Sequence, residues 1–215
     1  MANLEVPIPG AIYTVGANYR GSGEASGARP ERPLIFGKAA TAFARDGGKL
    51  SWDRSITDNV DAEVELGVVI GEITRDVRPG DALRHVLGYT IVNDVSSRDA
   101  WLDGDQWLLG KSMFGFCPAG PWVVPAAELD PSDLHLRCTI NGEAIQDGRT
   151  SAMRFSVAEI VAFLSRHLTL RPNDLIATGT PVRIATPPGP DRRLRAGDVV
   201  VCSIEGIGEL TTYVA

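Results

Sequence analysis

Histidine and cysteine are scarce in this chain, three of each in 215 residues, and that scarcity removes several chemistries at once. Cys117, Cys138 and Cys202 are odd in number and widely separated, which argues against a disulfide framework and against a zinc knuckle. His85, His135 and His167 fall in a helix-like stretch, an alternating strand and a helix end, where structural or surface roles are expected of all three. There is no Walker A loop, no GxGxxG after a strand and no GxSxG elbow, and the GSG at residues 21–23 has the wrong spacing for a serine loop. No apolar run approaches the roughly 20 residues that span a bilayer. The opening MANLEVPIPG has neither a charged nor an apolar leader region, so no signal peptide is expected. Positive charge is short as well. The formal net charge of -6 offers no basic footprint for nucleic acid or an anionic membrane. These absences lead to a cytoplasmic protein with neither kind of partner.

What remains is ordinary in bulk, 44% hydrophobic and 22% charged, and long enough for one sizeable domain with a real core over 1–215. The 23 glycines and 14 prolines punctuate short, strand-like segments. Residues 11–19 read as a strand running into a turn, 34–38 and 87–95 as further strands, and 20–33 as a mobile Gly/Ser/Pro-rich loop. Asn141-Gly142 between two alternating segments signals a type I′ hairpin over 134–148, because both turn positions need positive φ. Ser156 and Glu159 form a capping box at the head of a helix over 156–168, with Val157, Ile160, Val161 and Leu164 on one apolar face. Residues 174–181 read as a strand ending in a Gly/Pro turn, and 197–214 as two closing strands joined around 206–208. The fold class is α+β, β-rich and with few helices.

One stretch resists the bland reading. VDAEVELGVVIG (60–71) sets Asp61, Glu63 and Glu65 at alternate positions of a strand, hence on one side, and then turns wholly apolar. Burial and mutual repulsion would raise the pKa values of Glu63 and Glu65, and a divalent cation would relieve both penalties. An all-oxygen set of this kind suits Mg²⁺ first, with Mn²⁺ or Ca²⁺ as alternatives, rather than zinc. Asp94, closing the strand 87–95, is the natural third ligand from another strand end.

The order of motifs resembles the fumarylacetoacetate hydrolase family over nearly the whole chain. The matching pieces are VGANY (15–19), PLIFGK (33–38), DAEVELGVVIG (61–71), GYTIVNDVSSRD (88–99), WLLGKS (107–112), GPW (120–122), INGEAIQDG (140–148), LIATGTP (175–181) and LRAGDVV (194–200). The resemblance implies a rolled, mixed β-sheet, a homodimer, and a divalent metal on Glu63, Glu65 and Asp94, with Asp61 behind them. It also implies a small 2-oxo acid or dicarbonyl (acylpyruvate-like) substrate that chelates the metal, which stabilises an enolate as a Lewis acid. Lys111 matches a lysine that faces the site and stabilises an oxyanion. Arg98 and Thr180 match positions that hold substrate oxygens; Arg98 could equally brace Asp94 or Asp99.

The chain departs from the pattern in two places. Short members of the family carry a histidine three residues after NY and a nearby glutamate that together activate water; here the histidine position is Ser22, and Glu24 is the carboxylate candidate, one register off. After SSRD, a glutamine near the substrate oxyanion is replaced by Trp101, which would narrow the substrate pocket. Three readings follow: hydrolysis or decarboxylation of an acylpyruvate-like compound; isomerisation, tautomerisation or cyclisation through the same enolate with hydrolysis lost; or ligand binding without turnover.

Overall fold

Alternating and continuous apolar runs become strands throughout, because the pleat sends successive side chains to opposite faces. A computed structural model of the chain describes residues 3–21, 30–99, 102, 104, 106–184 and 193–215. In chain order the strands are β1 (Ile12–Gly16), β2 (Leu34–Lys38), β3 (Phe43–Arg45), β4 (Lys49–Leu50), β5 (Val60–Asp61), β6 (Val64–Ile70) and β7 (Val86–Asn93). They continue as β8 (Ser96–Ser97), β9 (Cys117–Pro125), β10 (His135–Ile140), β11 (Glu143–Arg149), β12 (Leu175–Ala177), β13 (Val199–Ile204) and β14 (Gly208–Val214). Among the described residues the helices are few and short, and include α1 (Pro79–Ala82), α2 (Trp107–Lys111) and α3 (Val157–His167). No helix among the described residues is long and apolar enough to cross a membrane.

The strands form a rolled, mixed seven-stranded sheet in the order β2-β1-β12-β6-β7-β9-β3, a five-stranded sheet β11-β10-β13-β14-β4, and the short pair β5-β8. β1 runs parallel to β12, and β3 to β9, while the other neighbours in the large sheet are antiparallel. β6 lies at its centre, and all seven of its residues are buried, Glu65 included. β10 and β13 of the second sheet pack against β6 and β7, so the core lies between the sheets.

Several local expectations are met. Asn141 and Gly142 have φ of 52° and 83°, and Ile140 pairs with Glu143 across the turn. The Ser156–Glu159 capping box is formed in both directions, and Val157, Ile160, Val161 and Leu164 are buried. His85 Nδ1 lies 2.8 Å from Glu72, His135 bonds Asp147 and His167 bonds the Phe163 carbonyl, so none of the three joins the acidic cluster.

One expectation changes. The stretch 60–71 is not one strand: β5 ends at Asp61 and β6 begins at Val64, with β5 diverted to pair with β8. The cysteines are free, but Cys138 and Cys202 are directly opposed in the β10–β13 register with their sulfurs 3.8 Å apart. Sequence separation said nothing about a register that only the closing strands create.

Candidate functional site

The break between β5 and β6 places Glu63 where the strand turns, and Glu65 enters β6 two residues later. Asp94 follows β7 directly, and the β6–β7 register carries it alongside because Val64 pairs with Asn93. Two further bonds fix the corner: the Asp94 N–H donates to the Glu63 carbonyl at 2.9 Å, and the Glu63 N–H to Asn93 Oδ1 at 3.1 Å. As a result Glu63, Glu65 and Asp94 each present a carboxylate oxygen within 4.8 Å of the others. Three carboxylate oxygens this close repel one another when ionised, and a shared hard cation with oxygen ligands would relieve that repulsion.

Cations surround this cluster. Lys111, at the end of α2, donates to Asp94 Oδ2 at 2.7 Å, Ser96 Oγ at 2.7 Å and Glu63 Oε2 at 3.2 Å. Lys38, at the end of β2, is buried against Asp94 Oδ1 and donates to the Val95 carbonyl at 2.9 Å. Arg98 pairs with Glu63 Oε1 and, at 3.4 Å, with Asp61 Oδ2. Arg183 holds the other Asp61 oxygen at 2.8 Å. Asp61 thus stands behind the three clustered carboxylates, anchored by two arginines. Arg98, expected either to hold substrate oxygens or to brace Asp94 or Asp99, bridges Glu63 and Asp61.

The cations split the carboxylates electrostatically. Burial pushes the Glu63 carboxyl up, but Lys111 and Arg98 outweigh it and its pKa falls below the ordinary value, the reverse of what the sequence suggested. Burial likewise opposes ionisation of Asp94, yet Lys111 and Lys38 bring it down to about 2. Glu65 goes the other way: burial, then Asp94 and Glu63, push it well above its usual range. One carboxylate of three is therefore short of positive charge. A hard donor set with that deficit fits a divalent cation held by Glu63, Glu65 and Asp94.

The cluster forms the floor of a cavity of about 190 Å³, with Lys111, Arg98 and Thr180 beside it and Val15, Leu34, Phe36 and Trp107 on the apolar side. Phe36 and Trp107 meet edge to face at 5.0 Å, and the Lys111 ammonium lies 5.1 Å from the Phe36 ring centre. A larger groove of about 790 Å³ runs along α3, but none of the three clustered carboxylates lines it. Thr180 is more committed than the sequence implied. Its hydroxyl donates to the Val64 carbonyl at 2.8 Å and accepts from Gln146 at 2.7 Å. Near the site, burial pushes the Cys117 thiol up to about 12, which rules it out as a thiolate nucleophile. Ser22, Glu24 and Trp101 lie outside the described residues.

Sequence reasoning missed Lys38, Ser96, Gln146 and Arg183. Lys38 and Gln146 stand inside quoted motifs, but nothing local indicates that their side chains reach Asp94 and Val64.

Residues 11–215 match the family model for the C-terminal domain of fumarylacetoacetate hydrolase. The chain belongs to the fumarylacetoacetate hydrolase family. An uncharacterized protein of Staphylococcus aureus is 37% identical over 208 residues, 96% of this chain and 69% of that protein. Among solved structures, a 5-carboxymethyl-2-hydroxymuconate delta-isomerase from Mycobacterium smegmatis is 39% identical with a TM-score of 0.85, covering 99% of this chain and 82% of that one. A fumarylacetoacetate hydrolase from the psychrophile Exiguobacterium antarcticum is 36% identical with a TM-score of 0.86, covering 96% and 76%. The family thus includes both a hydrolase and an isomerase at similar distance from this chain.

Proposed function

We propose that this protein, as one catalytic domain over 1–215, acts on a small 2-oxo acid or 1,3-dicarbonyl compound through an enolate, by C–C hydrolysis or decarboxylation. A divalent cation, Mg²⁺ first, is held in this reading by Glu63, Glu65 and Asp94. The observation that carries it is the meeting of three carboxylates within 4.8 Å of one another on the floor of a small cavity. Bound there, the cation would supply Lewis acidity at a substrate keto oxygen.

The chain's own residues do the rest. Burial disfavours the Lys111 ammonium, but Asp94 and Glu63 outweigh it and raise its pKa above the ordinary lysine value. With Asp94, Ser96 and Glu63 as its acceptors, Lys111 is held as a donor beside the cavity, suited to an oxyanion. Its 3.2 Å bond to Glu63 is the longest of its three and the one to exchange for a substrate oxygen. The apolar side built by Leu34, Phe36 and Trp107 keeps water from the reacting carbon. Glu24 is the base in this reading.

The second reading is isomerisation or tautomerisation through the same enolate. It is favoured by Ser22 at the usual histidine position and by the isomerase among the similar structures. A homodimer belongs to either reading, since Leu108, Leu109 and Phe114 leave apolar surface exposed on and just after α2. The buried free thiols suit a cytoplasmic setting.

Purified protein with Mg²⁺ or Mn²⁺ is assayed on acetylpyruvate and oxaloacetate, with keto–enol interconversion followed by ultraviolet absorbance. Cleavage or decarboxylation that Glu63→Gln abolishes supports the first reading. Interconversion without bond cleavage supports the second, and tight ligand binding with neither activity leaves a binding protein. Chelator-treated protein that takes up no divalent ion by calorimetry, with oxalate present, overturns the metal assignment.

A further inference from the structure

Gln146 belongs to β11, in the sheet that supplies none of the three clustered carboxylates, yet its side chain reaches the site. It is 1% exposed, and both ends of its amide are used. Oε1 accepts the Val64 N–H at 2.9 Å, while Nε2 donates to Thr180 Oγ1 at 2.7 Å and to the Pro181 carbonyl at 2.8 Å. A carbonyl only accepts and a backbone N–H only donates, so the amide has a single orientation here. Thr180 Oγ1, accepting from Gln146, must then send its own proton to the Val64 carbonyl, 2.8 Å away.

The consequence falls on Val64, the residue between Glu63 and Glu65. The β12–β6 ladder ends at the Ala177–Gly67 pair, with Thr178 adding two bonds to the Leu66 carbonyl, from its N–H and its hydroxyl. Beyond that point the N–H and C=O of Val64 are held by Gln146 and Thr180. A buried strand end left without these partners would shift to find others.

We propose that Gln146 is a positioning residue that fixes the backbone between Glu63 and Glu65, and so the spacing of their carboxylates; this rests on the metal reading above. It also sets the polarity of Thr180, which offers the cavity a lone pair and so receives a hydrogen bond from a ligand hydroxyl or a water.

Manganese binding, followed by the loss of free-ion electron paramagnetic resonance signal, tests the proposal on Gln146→Leu and Gln146→Glu. Val161→Ala, in the buried face of α3, serves as a destabilised control. Gln146→Leu is expected to weaken binding about ten- to a hundredfold, as loss of a residue that orients a metal ligand does. Gln146→Glu keeps the acceptor and loses the paired donors, so it falls between and carries the test if the leucine variant does not fold. Val161→Ala stays within about twofold of wild type. Wild-type binding matched by both Gln146 variants overturns the positioning role alone, as does an equal loss in the control. A wild-type protein that binds no manganese overturns the metal reading and this inference with it.

Discussion

Replacing Lys38 by methionine isolates the electrostatic support of Asp94. The two side chains are 0% and 1% exposed, and the lysine also satisfies the Val95 carbonyl. Methionine keeps the length and apolar stem, so little cavity is opened and the change is mainly the loss of a charge. Removing one member of a buried pair costs about 3–5 kcal/mol, because the remaining charge stays buried. Lys111 still holds the other Asp94 oxygen at 2.7 Å, which places the loss at the lower end, about 3 kcal/mol. For a chain of this size each kcal/mol shifts the thermal midpoint by about 2–4 °C, so Lys38→Met should melt about 6–12 °C lower in metal-free buffer.

The pH dependence gives a second handle on the same pair. Asp94 has its pKa depressed to about 2, so its contribution to stability is present above the unfolded value of 3.8 and is lost as pH falls through about 2. With Lys38 gone the folded pKa rises, so the contribution is smaller and its loss is complete at a higher pH. Circular dichroism melts of wild type, Lys38→Met, Asp94→Asn and the double variant complete a cycle. A melting shift under about 2 °C for Lys38→Met, or an equal shift in the Asp94→Asn background, would show that the pair is not coupled as the geometry requires.

Glu65 should make metal-free protein less stable as pH rises. Its raised pKa keeps a proton on the folded chain after the unfolded carboxyl, at 4.5, has lost it, so stability falls by about 1.4 kcal/mol per pH unit until the folded group ionises. Glu65→Gln removes that slope, and parallel curves of melting midpoint against pH for the two proteins would refute the shift. Gly67→Ala tests the packing beneath the site: an added Cβ would lie 2.8 Å from Thr90 Cγ2 and Val92 Cγ2, at a cost of about 1–3 kcal/mol. A urea midpoint unchanged from wild type would mean that β6 and β7 are less tightly packed than described.

What the sequence made legible was set by short-range physics. The Asn141-Gly142 turn and the Ser156–Glu159 cap each involve residues within a few positions, so their chemistry is written locally. The carboxylates at 63, 65 and 94 were legible for a similar reason, as two strand-end patterns whose residue types are costly to bury without a partner. The partners were not. Lys38 reaches across 56 positions to Asp94, Gln146 across 82 to Val64, and Arg183 returns from beyond β12 to Asp61. Their positions are consequences of sheet order and register, and so is the downward shift of Glu63, which needs Lys111 and Arg98 in place before its sign can be read. The break at 62–63 was hidden too, because alternation continues through it while β5 leaves to pair with β8.

Neutralisation around the cluster is uneven, and the unevenness divides the labour of the site. Asp94 has two lysines, Glu63 a lysine and an arginine, and Asp61 two arginines. Glu65 accepts the Gly179 N–H at 2.8 Å, and among the described residues no cation pairs with it directly. The deficit of positive charge is thus concentrated on the carboxylate most firmly built in, inside the central strand of the large sheet. A cation drawn to that deficit would be fixed by the rigid part of the fold. Lys111, at the end of a five-residue helix, and Arg98, just past a two-residue strand, sit on shorter elements, and in the proposed reading they would be the ones to exchange a carboxylate for a ligand oxygen. With the rigid acceptor at the floor and the donors beside it, one set of ion pairs would, in the proposed reading, both support the cluster and respond to what binds there.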